Sequence, residues 1–236
     1  MLITEIYKSL QGESTYAGLP CVFVRLTGCN LRCTWCDSEF SFYGGKKMPV
    51  DEVLAEVDKL HAPTGNRQLA TVNCLVEITG GEPMLQEREV VPLMERLISA
   101  GYTILLETSG ERALGAVPKQ VIKIVDVKCP HSGAAETFTI ENLKALAPHD
   151  ELKFVLSDRA DYEFARDFVR EHQLSERVHA ILFSPAFRKD ASGARDASHC
   201  LLNPAELAQW ILADNVPARL SMQLHKFIWD PAAKGV

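Results

Sequence analysis

The sequence predicts an α/β fold, an incomplete (β/α) barrel modified from and shorter than a full TIM barrel. Three observations carry this. Short β-branched runs alternate with amphipathic helical runs, the pattern of βαβ units around a parallel sheet. The chain has 236 residues, against about 250 for a closed eight-unit barrel. The first helical pattern begins only near Pro49, which leaves too little chain for eight complete units. The rival is an open doubly wound sheet, but the phosphate-binding glycine pattern such folds carry after the first strand is missing.

Residues 21–26 (CVFVRL) read as the first strand. Residues 49–60 place Val50, Val53, Leu54, Val57 and Leu60 at helical spacing, and Asp51 and Glu52 sit where the helix dipole favours acids. Residues 75–79 are a strand, and residues 87–100 a helix closed by Gly101 as its C′ glycine. Residues 103–107 and 121–127 are strands, 141–146 a short helix, 152–156 a strand and 161–172 a helix. Residues 178–183 are a strand, 204–213 a helix beginning after Asn203, and 218–222 the last strand. No repeat interrupts this alternation, and residues 1–236 read as one domain.

Hydrophobic residues make up 47% and charged residues 24%, an ordinary globular composition that argues against disorder. Lys and Arg number 25 against 31 Asp and Glu, for a net charge of −6. That balance argues against nucleic acid or an anionic membrane as main partner, since both need a basic face. No apolar run approaches the roughly 18 residues of a membrane span. The start, Met1-Leu2-Ile3-Thr4-Glu5, lacks the basic and apolar regions of a secretory signal, so a cytoplasmic location is expected. Seven cysteines, an odd number, then do not form a disulfide framework in a reducing compartment.

The strongest signal is Cys29-Asn-Leu-Arg-Cys33-Thr-Trp-Cys36, spaced CxxxCxxC directly after the first strand. These thiols sit among Asn30, Arg32, Thr34 and Asp37, a polar loop rather than a core segment. Zinc wants four ligands, usually as two separated pairs or with histidine. No second pair exists, and the nearest histidine is His61. Three cysteines instead leave one iron of a 4Fe–4S cluster without a protein ligand, open to a small molecule.

A CxxxCxxC loop after the first strand of a partial barrel resembles the radical S-adenosylmethionine (radical SAM) superfamily. That resemblance implies that the open iron binds the amino and carboxylate groups of SAM, and that SAM is cleaved to a 5′-deoxyadenosyl radical. It places Trp35 near the adenine, although packing alone also explains an aromatic there. Thr79-Gly80-Gly81-Glu82-Pro83 ends the second predicted barrel strand and resembles the superfamily's motif for the SAM amino group, with Glu82 as acceptor. Glu107-Thr108-Ser109-Gly110 and Asp126-Val127-Lys128 end the next two strands. By resemblance, Glu107, Ser109, Asp126, Val127 and Lys128 serve the SAM ribose and carboxylate, although surface polarity explains either segment taken alone.

The flanks narrow the resemblance. Leu10-Gln11-Gly12-Glu13, Arg25, Asp37-Ser38 and the segment from Arg219 to Trp229 (RLSMQLHKFIW), with TGGEP, resemble the 7-carboxy-7-deazaguanine synthase family. The likeness runs from Glu5 to Trp229, and between Val90 and Val178 it rests on element order. It implies ring contraction of 6-carboxy-5,6,7,8-tetrahydropterin to 7-carboxy-7-deazaguanine with loss of ammonia, in queuosine and deazapurine biosynthesis. It further implies a carbon–nitrogen lyase, a homodimer, an external electron donor such as flavodoxin, and Mg²⁺. Residue by residue, Cys29, Cys33 and Cys36 hold the cluster, and Trp35, Cys36, Asp37 and Gly81 flank SAM. Ser38 offers a hydroxyl to Mg²⁺ where the family often has threonine. Leu10, Gln11, Gly12 and Glu13 form the pterin loop, Arg25 faces the substrate carboxylate, and Thr79, Gln223, His225 and Lys226 lie near the pterin. The segment 219–236 is expected to close the substrate side. The family role of a C-terminal carboxylate is not carried onto Val236.

Two rivals stay open at this point. A glycyl-radical-enzyme activase has the same cysteine spacing but needs neither the LQGE loop nor Ser38. A non-catalytic iron–sulfur or zinc-binding module does not need TGGEP. Cys21, Cys74, Cys129 and Cys200 read as core thiols, with Cys129 the one beside the ligand face. His61, His131, His149, His172, His179 and His199 show no ligand spacing. Lys123 and Lys153 are expected to be solvated or to face the barrel mouth. Residues 188–199, with Ser192 and Gly193, read as a mobile loop, either a lid or plain disorder.

Overall fold

A strand that must face a polar cavity on one side and a helix layer on the other alternates accordingly, and six strands of this chain do so. The computed structural model describes residues 1–61, 74–189, 196–230 and 233–235. Ser192, Gly193 and Val236 lie outside the described residues. The chain opens with a hairpin of β1 (Leu2–Leu10) and β2 (Pro20–Leu26), Leu10 opposite Pro20, with a bulge between Ile3 and Glu5. A two-residue strand β3 (Lys46–Lys47) pairs with the start of β1. Then follow α1 (Val50–His61), β4 (Leu75–Gly80), α2 (Glu87–Ser99), β5 (Thr103–Thr108) and β6 (Ile122–Asp126). The chain continues with β7 (Glu151–Leu156), α3 (Arg159–Glu171), β8 (Ala180–Pro185), α4 (Pro204–Ala213), β9 (Arg219–Leu220) and α5 (His225–Ile228). The strand order is β3-β1-β2-β4-β5-β6-β7-β8-β9, parallel from β2 onward and not closed between its two ends. The expected incomplete barrel is therefore the fold.

One face of the sheet carries the main core. Val22, Val24, Val76, Ile78, Ile104, Leu106, Val125, Leu152, Phe154 and Phe183 pack against the helices. Helix α2 meets them with Val90, Leu93, Met94 and Leu97, the i, i+3, i+4, i+7 stripe of an amphipathic helix. Burying each such side chain contributes about 1.5–3 kcal/mol. The caps are local: Asp158 accepts from Asp161 N at the start of α3, and Asn203 from Ala205 N at the start of α4. No helix of the described residues is long and apolar enough to cross a membrane.

Several expectations are corrected. Strand β1 was not anticipated, because its polar residues face the cavity and mask its pairing with β2. The expected helix at 141–146 is a 3₁₀ turn, Ile140–Lys144. Asn142 pins it there: its side chain donates to Gly110 O and Arg112 O and accepts from Leu114 N, all at 2.8–2.9 Å. The β5–β6 and β6–β7 crossovers thus carry no α-helix. The last strand is only Arg219–Leu220. Lys123 is neither solvated nor at the mouth. It is buried on the helix side, with its Nζ 2.8 Å from Asp150.

That ion pair generates a test. Asp150 also accepts from Lys123 N at 2.8 Å and Ala147 N at 2.6 Å, so its loss strands three donors, two of them on buried Lys123. Asp150→Ala should lower unfolding free energy by about 3–5 kcal/mol in urea titration. A loss below about 1 kcal/mol would show that the carboxylate is dispensable.

Candidate active site

The other face of the sheet is layered. At its base Cys21, Phe23, Leu75, Leu105, Ile122 and Ile124 form a small apolar cluster. Further along β2, β4, β5 and β6 the inward positions become Arg25, Thr79, Glu107 and Asp126, and β7 adds Lys153. Above them opens a cavity with about 1580 Å³ of space, its mouth included. Its rim comes from the loop after β2, the 10–13 loop and the C-terminal segment.

Lys153 is the hub. Its Nζ lies 2.7 Å from Glu13 and 4.0 Å from Asp126, and it bonds Glu107. Thr79 Oγ1 donates to Glu107 at 3.2 Å, and Lys128 pairs with Asp126 Oδ2 at 2.7 Å. From Glu13 the network runs outward: Gln223 Nε2 donates to it at 2.8 Å, and Lys226 Nζ donates to Gln223 at 2.9 Å. Lys226 also pairs with Asp37 at 2.8 Å, one residue past Cys36. Burial alone raises the Glu13 carboxyl, but Lys153 and His225 outweigh it and hold its pKa at about 2. Burial pushes the His225 imidazole down, against the pull of Glu13. His225 packs onto Gly12, where a Cβ would lie 2.3 Å from its Nδ1. The 10–13 loop is further tied by Thr15 N, which donates to Glu151 at 3.1 Å. Arg25 donates through Nε to Glu5 at 2.8 Å and through Nη2 to the Tyr7 hydroxyl at 2.7 Å, with Phe40 also beside it.

The cysteine loop seats on the end of β4. Glu82 N donates to Gly28 O at 2.9 Å, and Thr34 N donates to Ser132 O at 2.7 Å. A Cβ on Gly81 would sit 2.2 Å from Gly28 O and 2.7 Å from the Cys29 Cβ, so only glycine allows this approach. Cys29, Cys33 and Cys36 are free, half-buried and line the cavity beside Trp35. Among the described residues His131, Asp158 and Asp161 hold ligand atoms all within 4.8 Å of one another. The three thiols are one short of the four ligands a structural zinc takes, and as soft sulfur donors they suit an iron–sulfur cluster that keeps one iron open. Asp126 Oδ1, buried in the cavity wall with no hydrogen-bond partner among the described residues, suits a further ligand with a donor group.

Most expected residues converge here. Leu10, Gln11, Gly12, Glu13, Arg25, the three cysteines, Trp35, Asp37, Ser38, Thr79, Gly81, Glu107, Ser109, Asp126, Lys128, Gln223, His225 and Lys226 all line the cavity. Glu82 and Val127 do not. The Glu82 carboxylate is taken up by Met84 N, Thr108 Oγ1, Ser109 N and Ser109 Oγ at 2.7–3.0 Å. It locks two strand ends together rather than facing a ligand ammonium. Val127 and Cys129 belong to the main core. Ser38 Oγ lies 3.7 Å from Cys36 Sγ and caps no backbone amide, although a 3₁₀ turn starts after it. Sequence reasoning missed Glu5, Tyr7, Phe40 and Glu77 in the wall and read Lys153 only as solvated or mouth-facing. For Glu77 and Lys153 a signal existed: each is a charged residue between apolar neighbours in a strand.

Comparison with known proteins follows the same lines. The family model described as Radical SAM superfamily matches residues 23–133. The 7-carboxy-7-deazaguanine synthase of Koribacter versatilis is 65% identical over 236 residues, covering 100% of both chains. That of Chlorobaculum tepidum is 37% identical, covering 99% of this chain and 96% of its own. Among solved structures, QueE from Escherichia coli aligns with a TM-score of 0.68 at 23% identity, covering 94% of this chain and 93% of that one, and shows the fold.

The Lys153 hub sets a pH test. Glu13, with its pKa depressed from 4.5 to about 2, adds stability that is full above 4.5 and is lost as pH falls toward 2. Lys153→Met should cost about 3–5 kcal/mol at pH 7, because Glu13, Glu107 and Asp126 lose their shared cation. Chemical denaturation across pH should show that deficit narrowing as the acids are protonated. A deficit independent of pH would mean that Lys153 acts by packing alone.

Proposed function

From the membership of this chain in the 7-carboxy-7-deazaguanine synthase family, within the radical SAM superfamily, we infer that it converts 6-carboxy-5,6,7,8-tetrahydropterin to 7-carboxy-7-deazaguanine. The reaction is a radical-mediated ring contraction with loss of ammonia, in the route to queuosine and other deazapurines. One observation carries the reading into geometry: the three-thiol loop and the acid-lined 10–13 loop open on the same cavity.

In our reading Cys29, Cys33 and Cys36 hold a 4Fe–4S cluster and leave one iron without a protein ligand. When bound, the cluster and SAM supply the 5′-deoxyadenosyl radical that starts the reaction. Around SAM we place Trp35, Asp37, Gly81, Glu107, Ser109, Asp126 and Lys128. Asp126 Oδ1 is free to accept from a cofactor donor, while Lys128 balances its charge. Around the pterin we place Leu10 to Glu13, Arg25, Thr79, Gln223 and His225. Glu13, held ionised, accepts from the donor edge of the pyrimidine ring. Arg25 is engaged through Nε and Nη2, and its Nη1 remains for the substrate carboxylate.

Loss of ammonia makes the reaction that of a carbon–nitrogen lyase. Mg²⁺ fits one neutral oxygen, Ser38 Oγ, with water and substrate completing its shell. The reading also includes one domain over residues 1–236, closed on the substrate side by 219–236. It includes a homodimer, an external donor such as flavodoxin, and a cytoplasmic setting.

Reconstituted under anaerobic conditions, the wild type should be brown and should consume the carboxypterin in the presence of SAM, Mg²⁺ and reductant. Cys33→Ala should lose both the chromophore and SAM cleavage, whereas Cys200→Ala should keep them. SAM cleavage at wild-type rate in Cys33→Ala would overturn the cluster assignment. For the metal, Ser38→Ala should raise the Mg²⁺ concentration needed for turnover several-fold with SAM binding intact, and Ser38→Thr should restore it. An unchanged Mg²⁺ dependence in Ser38→Ala would remove Ser38 from the metal site.

A further inference from the structure

Glu77 breaks the layer it belongs to. Its register neighbours are Phe23 on β2 and Leu105 on β5, with Ile122 on β6 beyond. Every one of these is apolar, and Glu77 is 2% exposed. A carboxyl group at that depth is costly unless it is paired or neutral. The charged and titratable groups facing it are Tyr7 on β1, Glu13 in the following loop, Cys21 and Arg25 on β2, Glu107 on β5 and Lys153 on β7. The two cations among them are already taken, Lys153 by Glu13 and Glu107 and Arg25 by Glu5. Among the described residues Glu77 has no cation of its own.

Its hydrogen bonding is one-sided. Oε2 accepts from Gln11 Nε2 in the 10–13 loop. Oε1 takes no hydrogen bond among the described residues, and the side chain lines the cavity floor. Burial, reinforced by Glu107 and Glu13, pushes this carboxyl well above the ordinary carboxylate range, and a carboxyl buried without a paired cation is accommodated in its neutral form. A neutral carboxyl has one acceptor oxygen and one hydroxyl. With Oε2 accepting from Gln11, the hydroxyl belongs at Oε1, on the cavity side.

We propose that Glu77 is a specificity-determining contact of the substrate site, donating a hydrogen bond from Oε1 to an acceptor on the pterin ring, a ring nitrogen or the carbonyl oxygen. The proposal rests on the carboxypterin reading given above. It deepens that reading by adding a donor at the floor of a site whose carboxylates Glu13 and Glu107 are engaged as acceptors by Lys153. A buried acid kept neutral so that it can donate is an established device at pH 7.

The test compares Glu77→Gln with Glu77→Val in the reconstituted holoenzyme. Glutamine keeps the shape, accepts from Gln11 through its carbonyl and donates into the cavity through its amide, but does not titrate. At pH 7, Glu77→Gln should therefore keep the wild-type KM for carboxypterin within about twofold, and Glu77→Val should raise it about tenfold. SAM affinity should change in neither. As pH rises, wild-type Glu77 loses its proton, the donor disappears and a third negative charge joins Glu13 and Glu107. The wild-type KM should climb on the alkaline side, and Glu77→Gln should lack that limb. The proposal is overturned if Glu77→Val leaves KM unmoved, if Glu77→Gln raises it as much as valine, or if Glu77→Gln keeps the alkaline rise. Should Glu77→Val fail to fold, the pH comparison of wild type with Glu77→Gln decides alone. A wild type that makes no product from carboxypterin sinks the functional reading and this proposal together, whereas an active wild type with unmoved variants sinks only the proposal.

Discussion

An ammonium group buried on the inner face of a parallel sheet has to be surrounded by carboxylates, and Lys153 is such a group. Its partners come from three places: Glu13 from the loop after β1, Glu107 from the end of β5, and Asp126 from the end of β6. The one cation therefore ties the neighbouring ends of β5, β6 and β7 to the loop after β1, a strand that pairs with none of these three. Through Glu13 it also reaches Gln223 and Lys226, and so fixes the C-terminal segment over the cavity. The cluster loop is tied to the same network where Lys226 meets Asp37. The polar contents of the cavity thus act as its scaffold as well as its ligand surface.

A second constraint is close backbone approach. The TGGEP turn and the cysteine loop meet where Gly81 lies against Gly28 and Cys29, with no room for a side chain. Glu82 then locks the end of β4 to the end of β5 by accepting from Thr108 and Ser109. Both halves of this motif concern the placing of backbone. The glycine lets the thiols come close to the strand ends, and the acid stops those ends from moving apart. A metal cluster at the mouth of an open sheet needs such rigidity, because its ligands stand on a loop.

Much of this was legible in the chain. Alternation of strand and helix patterns, with length, identified an incomplete barrel, because period and chain length are local properties. The CxxxCxxC spacing, the first three residues of TGGEP and the LQGE loop singled out residues that do converge on one cavity. Those motifs are short, and loops at the C-terminal ends of parallel strands necessarily share one face. The Ile140–Lys144 turn was misread because its state depends on Asn142 reaching Gly110 and Arg112, contacts about thirty residues away in sequence.

What the sequence by itself determined was the order of the elements, the side of the sheet on which chemistry gathers, and the residue types available there. Tertiary structure decided which charged groups meet. Lys123 and Lys153 look alike in the sequence, each a lysine within an apolar strand. Strand alternation sends one to the helix side, against Asp150, and the other into the cavity, against Glu13 and Glu107. Glu82 and Glu77 part in the same way: the acid of the motif is consumed by backbone and hydroxyl donors, and the acid outside it lines the cavity floor. The protonation and partner of a buried ionisable group are set by neighbours from other strands, and only the assembled sheet specifies those neighbours.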